Sequence, residues 1–194
     1  MKKIFVIIIS LFLIPSIHTI EEKNRWIEDY IETVSNFPKP GIAFKCYPKL
    51  LKDQAAFKKA IQIFVDEYKE LNIDVICGLD SRGFIFGTAL AYEMGVPFVM
   101  IRKSGKLPKK TEKIDYSLEY GSAQFEIEVD SLNPKDRVLI VDDLLATGGT
   151  ALAAANLIRR LDAEVVGMAC LIELKALNGQ SRLNFPVFSI IHDE

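Results

Sequence analysis

The chain has 194 residues, with 24 Lys and Arg against 26 Asp and Glu and a formal net charge of -2, so no global basic surface argues for a nucleic-acid partner. That length supports one domain with a sizeable core and is too short for two comfortable ones. The three cysteines, Cys46, Cys77 and Cys170, are an odd set without metal-ligand spacing, which excludes a disulfide framework and suits a reducing compartment.

Residues 1–20 read as a signal-like leader. Met1-Lys2-Lys3 is a positive start, and IFVIIISLFLI is an apolar run, broken at Pro15 and too short to span a bilayer. No clean small-x-small pair precedes Glu21, so a cytoplasmic location stands beside a secretory or membrane-associated one, with membrane contact only if the leader is retained. Residues 21–194 read as a single domain. Over Glu21–Ser35, Trp26, Ile27, Tyr30, Ile31 and Val34 recur at three- and four-residue spacings, which predicts a helix. Pro38 and Pro40 end it, and IAFKCYPKLLKD follows as a short extended piece and a turn. Asp53–Leu71 is an amphipathic helix with Phe57, Ala60, Ile61, Phe64, Val65 and Tyr68 on one stripe. A strand over Asp74–Gly78, a helix running to about Glu93 and a strand over Val96–Ile101 make a βαβ unit with a right-handed crossover.

Inside that unit, GLDSRGF puts glycines on both sides of Ser81 and Arg82, which lets the backbone approach a ligand closely. The Arg82 fork matches phosphate oxygens as a lysine does not. Arg102–Gly121 reads as a long polar loop carrying Arg102, Lys103, Lys106, Lys109, Lys110 and Lys113, the length of a lid, a binding loop or a disordered segment. Phe125–Val129 (FEIEV) alternates as the return strand of a hairpin. Val138–Val141 has the apolar continuity of a strand buried on both faces. Asp142 and Asp143 follow at its carboxyl end, where open α/β sheets bind ligands, and suit sugar hydroxyls or a hydrated divalent metal. The turn Ala146-Thr147-Gly148-Gly149-Thr150 opens an alanine-rich helix reaching Leu161, and offers N–H groups and hydroxyls to a phosphate. Val165–Ile172 is a further strand, Glu173–Gly179 a short helix or turn, and Pro186–Ile191 the last strand. His18 and His192 lie in the leader and the tail, so neither is a candidate base or metal ligand.

These features describe a site for a phosphorylated sugar. VLIVDDLLATGGT resembles the phosphoribosyl pyrophosphate motif of type I phosphoribosyltransferases. Together with FPKPGIAF, GLDSRGF, RKSGKLP and YSLEYG it resembles the adenine phosphoribosyltransferases, from about Phe37 to Glu194. The resemblance implies an α/β fold, an open, mostly parallel sheet flanked by helices, with a small hood from the N- and C-terminal segments and a mobile hairpin lid. It implies transfer of a 5-phosphoribosyl group from phosphoribosyl pyrophosphate to adenine, giving AMP and pyrophosphate, with Mg2+ and a homodimer.

By the same resemblance, Asp142 and Asp143 hold the ribose hydroxyls and reach magnesium only through water. Ala146, Thr147, Gly148, Gly149 and Thr150 bind the 5′-phosphate. Arg82, with Ser81 in its turn and Arg102, Lys103 and Lys106 from the lid, takes the pyrophosphate. Glu119 is the acid/base near the purine N7, and Tyr120 is the lid aromatic. Phe44 and Leu174 sandwich the purine, while Ala43 and Lys45 touch its edge through the backbone. The chain departs from relatives after Phe44: where they usually carry Arg-Asp and then Ile-Thr/Ser-Pro, it has Lys45-Cys46-Tyr47-Pro48-Lys49. Three alternatives stay open: a phosphoribosyltransferase for another base, a non-catalytic nucleotide-binding regulator of the same fold, and a secreted or membrane-associated binding protein.

Overall fold

Val75 to Leu79 are apolar without alternation, so the strand they form buries both faces and calls for helices on either side of it. The computed structural model describes residues 24–117 and 122–194. A separate antiparallel hairpin is made by β1 (Glu32–Ser35) and β2 (Ala43–Cys46). Helices α1 (Pro48–Lys52) and α2 (Gln54–Tyr68) lead to β3 (Val75–Leu79), α3 (Gly83–Met94) and β4 (Phe98–Lys103). The chain continues through β5 (Thr111–Ser117), β6 (Ser122–Glu128), β7 (Arg137–Leu145), α4 (Gly149–Arg159), β8 (Glu164–Leu174) and β9 (Val187–Asp193).

The main sheet is seven-stranded in the order β5-β6-β4-β3-β7-β8-β9. Strands β4, β3, β7, β8 and β9 are parallel, and the β5–β6 hairpin joins antiparallel at the edge of β4. Successive residues of β3 and β7 face opposite layers. Val75, Cys77, Leu79, Val138 and Ile140 pack with the buried alanines of α4, and Ile76, Leu139 and Val141 pack with α2 and α3.

Two features of this topology place the site. The chain runs from β3 to β4 on one side and from β7 to β8 on the other, so strand order reverses between β3 and β7 and a crevice opens at their carboxyl ends. The register pairs Gly78 with Val141, which sets the turn after β3 beside Asp142 and Asp143. Gly83 allows the approach: a Cβ there would lie 2.5 Å from the Val141 carbonyl oxygen and 3.0 Å from the Asp142 Cα.

Several elements differ from the sequence expectation. In place of a helix over Glu21–Ser35, the described residues show a 3-10 helix, Arg25–Tyr30, followed by β1. Ile27 is buried as the spacing predicts, but the β-branched end of that stretch pairs with β2 instead. The long loop expected over Arg102–Gly121 contains β5, because Ile114 and Tyr116 alternate inward against the core while Lys113 and Asp115 face solvent. Strand β7 runs past Val141 through both aspartates, since Leu144 and Leu145 continue the ladder with Ile172 and Glu173. The tail is not a tail: His192 and Asp193 pair with Glu173 and Leu174 inside the sheet.

Candidate active site

The acidic pair divides its work by strand alternation. The Asp143 side chain is only 5% exposed, and its Oδ2 accepts a hydrogen bond from the Tyr47 hydroxyl at 3.0 Å and pairs with Arg82 Nε at 3.1 Å. Asp142 is more open, and its Oδ1 accepts the Asp143 N–H at 2.9 Å. Burial, and then the neighbouring Asp143 charge, hold the Asp142 carboxyl well above the usual carboxylate range. Such a pair is stabilised by hydroxyl donors brought to it, as a ribose edge would bring. The Tyr47 phenol is pushed up by its own burial and by Asp143, so it remains a donor.

The phosphate turn follows directly. Gly148 is left-handed at φ 77, and no side chain caps the first turn of α4, so its leading N–H groups are open to an anion. The turn is braced from behind, where a Cβ on Gly179 would lie 2.1 Å from the Ala146 carbonyl oxygen. Arg182 Nη1 also donates to the Thr147 carbonyl at 3.3 Å. Arg82, Asp142, Asp143, Ala146 to Gly148 and Thr150 bound one pocket of about 200 Å³. Gly149 is the first residue of α4, immediately behind it.

The basic residues expected in the lid are anchored beside this pocket. Arg102 Nε lies 3.1 Å and Lys106 Nζ 3.5 Å from Asp80 Oδ2, a carboxylate with a side chain 3% exposed. Burial works to raise the Asp80 carboxyl, but Arg102, the Lys103 N–H and Lys106 outweigh it and hold it below the ordinary value. Glu126 Oε1 accepts the N–H groups of Lys106 and Leu107 at 2.7 and 2.9 Å, which pins the loop between β4 and β5. Lys103 and Ser81 are exposed, and the Asp80–Ser81 peptide is cis.

On the base side, the Phe44 ring sits 5.2 Å from that of Phe37 and 4.9 Å from the Arg82 guanidinium. The Lys45 ammonium is committed to Asp193 and, at 3.3 Å, to Thr33, which leaves its main chain for recognition. Ala43 is exposed on β2, and Leu174 ends β8 half-buried. Glu119 and Tyr120 lie outside the described residues.

Sequence reasoning brought together Arg82, the two aspartates and the phosphate turn, and it missed four supports. Asp80 was inside a quoted motif, but nothing in its sequence marks it as the anchor of Arg102. Glu126 is one polar position of the alternating FEIEV strand, yet it is 1% exposed under the loop. Gly179 and Tyr47 act through contacts far away in sequence. The asparagine-glycine pair at Asn178-Gly179 was the one available signal of a tight backbone.

Two hydroxyl acceptors, an anion-binding turn and an arginine in one crevice of an open sheet define the class of protein that handles a phosphorylated pentose. The known proteins agree. A family described as the phosphoribosyl transferase domain matches residues 48–192. The chain is 48% identical over 157 residues to an adenine phosphoribosyltransferase of Marinobacter nauticus, covering 81% of this chain and 87% of that one. It superposes on the crystal structure of the adenine phosphoribosyltransferase of Thermoanaerobacter pseudethanolicus with a TM-score of 0.85 and 41% identity, covering 87% and 99% of the two chains. The Saccharomyces cerevisiae enzyme, crystallised with D-2,5-dideoxy-2,5-imino-altritol 1,6-bisphosphate and adenine, matches with a TM-score of 0.82 and 39% identity over 90% and 99%. The chain therefore belongs to the adenine phosphoribosyltransferase family and carries its type I fold.

Proposed function

We propose that the protein transfers the 5-phosphoribosyl group of phosphoribosyl pyrophosphate to adenine, releasing AMP and pyrophosphate, a step of purine salvage. The observation that carries this is the single pocket in which Asp142 and Asp143 face the Ala146–Thr150 turn with Arg82 beside them. Adenine as the base is supported by the yeast relative, whose crystals hold adenine, and by the FPKPGIAF segment.

The chemistry follows from the charges. Pyrophosphate leaves C1′ through a transition state with oxocarbenium character, so negative charge builds on the leaving group and catalysis is mainly positioning and electrostatics. Asp142 and Asp143 orient the ribose, and the turn holds its 5′-phosphate. Arg82 neutralises the departing pyrophosphate. Arg102 and Lys106 rest on Asp80 next to the Arg82 turn and lie ready to join it, with Lys103 alongside. Closing the lid excludes the water that would hydrolyse the donor. Adenine N9 attacks C1′ as the C1′–O bond to pyrophosphate breaks, and by the family resemblance Glu119 is the acid/base for the proton at N7 and Tyr120 the lid aromatic.

Magnesium fits the donor set. The ion would be held by the substrate's own oxygens, with Asp142 and Asp143, two carboxylates at the mouth of the same pocket, contributing through water. Bound there, it would supply further neutralisation of the pyrophosphate. A homodimer is supported by α3, which is apolar on both faces and leaves Ile85 and Tyr92, seven residues apart, 38% and 85% exposed. The three free thiols suit the cytoplasm. Incubating the purified protein with adenine, donor and magnesium chloride should give AMP and pyrophosphate in equal amounts by chromatography; donor consumption without AMP would reject the assignment.

A further inference from the structure

Tyr47 lies in the stretch where the chain departs from its relatives, and it reaches the centre of the site. It follows β2 directly and precedes the first residue of α1. The residue is 5% exposed, with its ring 5.5 Å from that of Phe86 on α3, the helix that begins just after Arg82. Its hydroxyl donates to Asp143 Oδ2, the same oxygen that pairs with Arg82 Nε. Three residues earlier, Phe44 presents its ring to the Arg82 guanidinium at 4.9 Å. One short segment therefore grips Arg82 twice, by a ring beneath the guanidinium and by the carboxylate that Tyr47 holds in place.

We propose that Tyr47 is a positioning residue for the phosphoribosyl donor: by fixing Asp143 it aims the Arg82 guanidinium at the pyrophosphate, so the base-side strand sets the strength of the donor site. With Nε bound to Asp143, the guanidinium's terminal nitrogens remain to meet phosphate oxygens, a two-point geometry that depends on where the carboxylate stands. Among the described residues Tyr47 and Arg82 are the two side chains that meet Asp143 Oδ2, so without the phenol that buried oxygen leans on the arginine alone of this pair. Adenine recognition, read as resting on the backbone of Ala43 and Lys45, would register little of this. The inference rests on the reading of Arg82 as the partner of pyrophosphate.

The test is calorimetric titration of inorganic pyrophosphate, in magnesium chloride, into the parent, Tyr47→Phe, Arg82→Gln and the double variant, with steady-state KM values for donor and adenine. A hydrogen bond to a charged group sets the scale, so Tyr47→Phe should weaken pyrophosphate and raise the donor KM by about ten- to a hundredfold, leaving the adenine KM unchanged. In the Arg82→Gln background the same change should add nothing, because its route to the ligand is gone. Tyr47→Met, which refills the ring's volume, carries the same expectation if the phenylalanine variant does not fold. Parent-like pyrophosphate affinity in a folded Tyr47 variant, or fully additive effects in the double variant, would overturn the proposal. A parent that binds pyrophosphate but makes no AMP would sink the functional assignment and leave this one standing. A parent that does not bind pyrophosphate would sink this one.

Discussion

A single added methyl group at Gly179 asks whether the Ala146–Thr150 turn is the phosphate cradle. In the structure, a Cβ on Gly179 would lie 2.1 Å from the Ala146 carbonyl oxygen, 2.9 Å from the Gly148 nitrogen and 3.0 Å from the Ala146 carbonyl carbon. Carbon and oxygen in contact stay roughly 3.3 Å apart, so turn and brace must separate by about 1 Å. Every obstacle is backbone, and no side-chain rotation relieves it. Overpacking of this kind costs about 1–3 kcal/mol, and each kcal/mol lowers the melting temperature of a chain this size by roughly 2–4 °C. The functional loss should be larger than the stability loss, because a misplacement of about 1 Å in a binding constellation costs on the order of 10²-fold. In assays at saturating adenine, Gly179→Ala should therefore lower kcat/KM for the donor about 10²-fold while the adenine KM stays near that of the parent. A folded Gly179→Ala enzyme with parent-like donor kinetics would refute the role given to the turn.

Two further substitutions separate stability from chemistry. Burial and Asp143 raise the Asp142 carboxyl, so the folded state keeps a proton that the unfolded chain gives up. The stability this contributes is full below the ordinary carboxylate pKa and is lost as pH rises through the raised folded value. Asp142→Asn removes that loss while keeping an oxygen for the Asp143 N–H, so its melting temperature relative to the parent should climb as pH is raised above the ordinary carboxylate range, while AMP formation collapses; a variant whose relative stability falls or stays flat over the whole folded pH range contradicts the electrostatic account. Glu119→Gln should lower kcat by about 10²–10⁴ if that residue transfers a proton in the limiting step, and an unchanged kcat reduces it to positioning.

What the sequence revealed and what it hid divide along the range of the interactions. Val138–Thr150 was legible because its determinants are local: an apolar run makes a buried strand, and a glycine turn before an alanine-rich stretch makes a helix entry. The place of Arg82 in the turn at the end of β3 was legible, but its partner was not. Its pairing with Asp143 depends on the register of β3 against β7, which no local pattern carries. The loop after β4 looked longer than it is because charged residues mask the alternation of Ile114 and Tyr116 in β5. Glu126 carried no signal of its own, being one polar position of an alternating strand, whereas the Lys106–Leu107 backbone covers it here. Leu144 and Leu145 extend β7 because β8 offers partners to pair with them, again a fact of the sheet and not of the segment.

The claim at the centre of this account is that the pocket fixes a phosphoribosyl donor and the β2 side selects adenine. Presenting the purified protein with phosphoribosyl pyrophosphate, magnesium chloride and equal concentrations of adenine, hypoxanthine, guanine, xanthine and orotate, then separating the nucleotides formed, tests both halves at once. The account predicts AMP as the dominant product. A mixture dominated by the nucleotide of any other base, or no nucleotide at all, would contradict it.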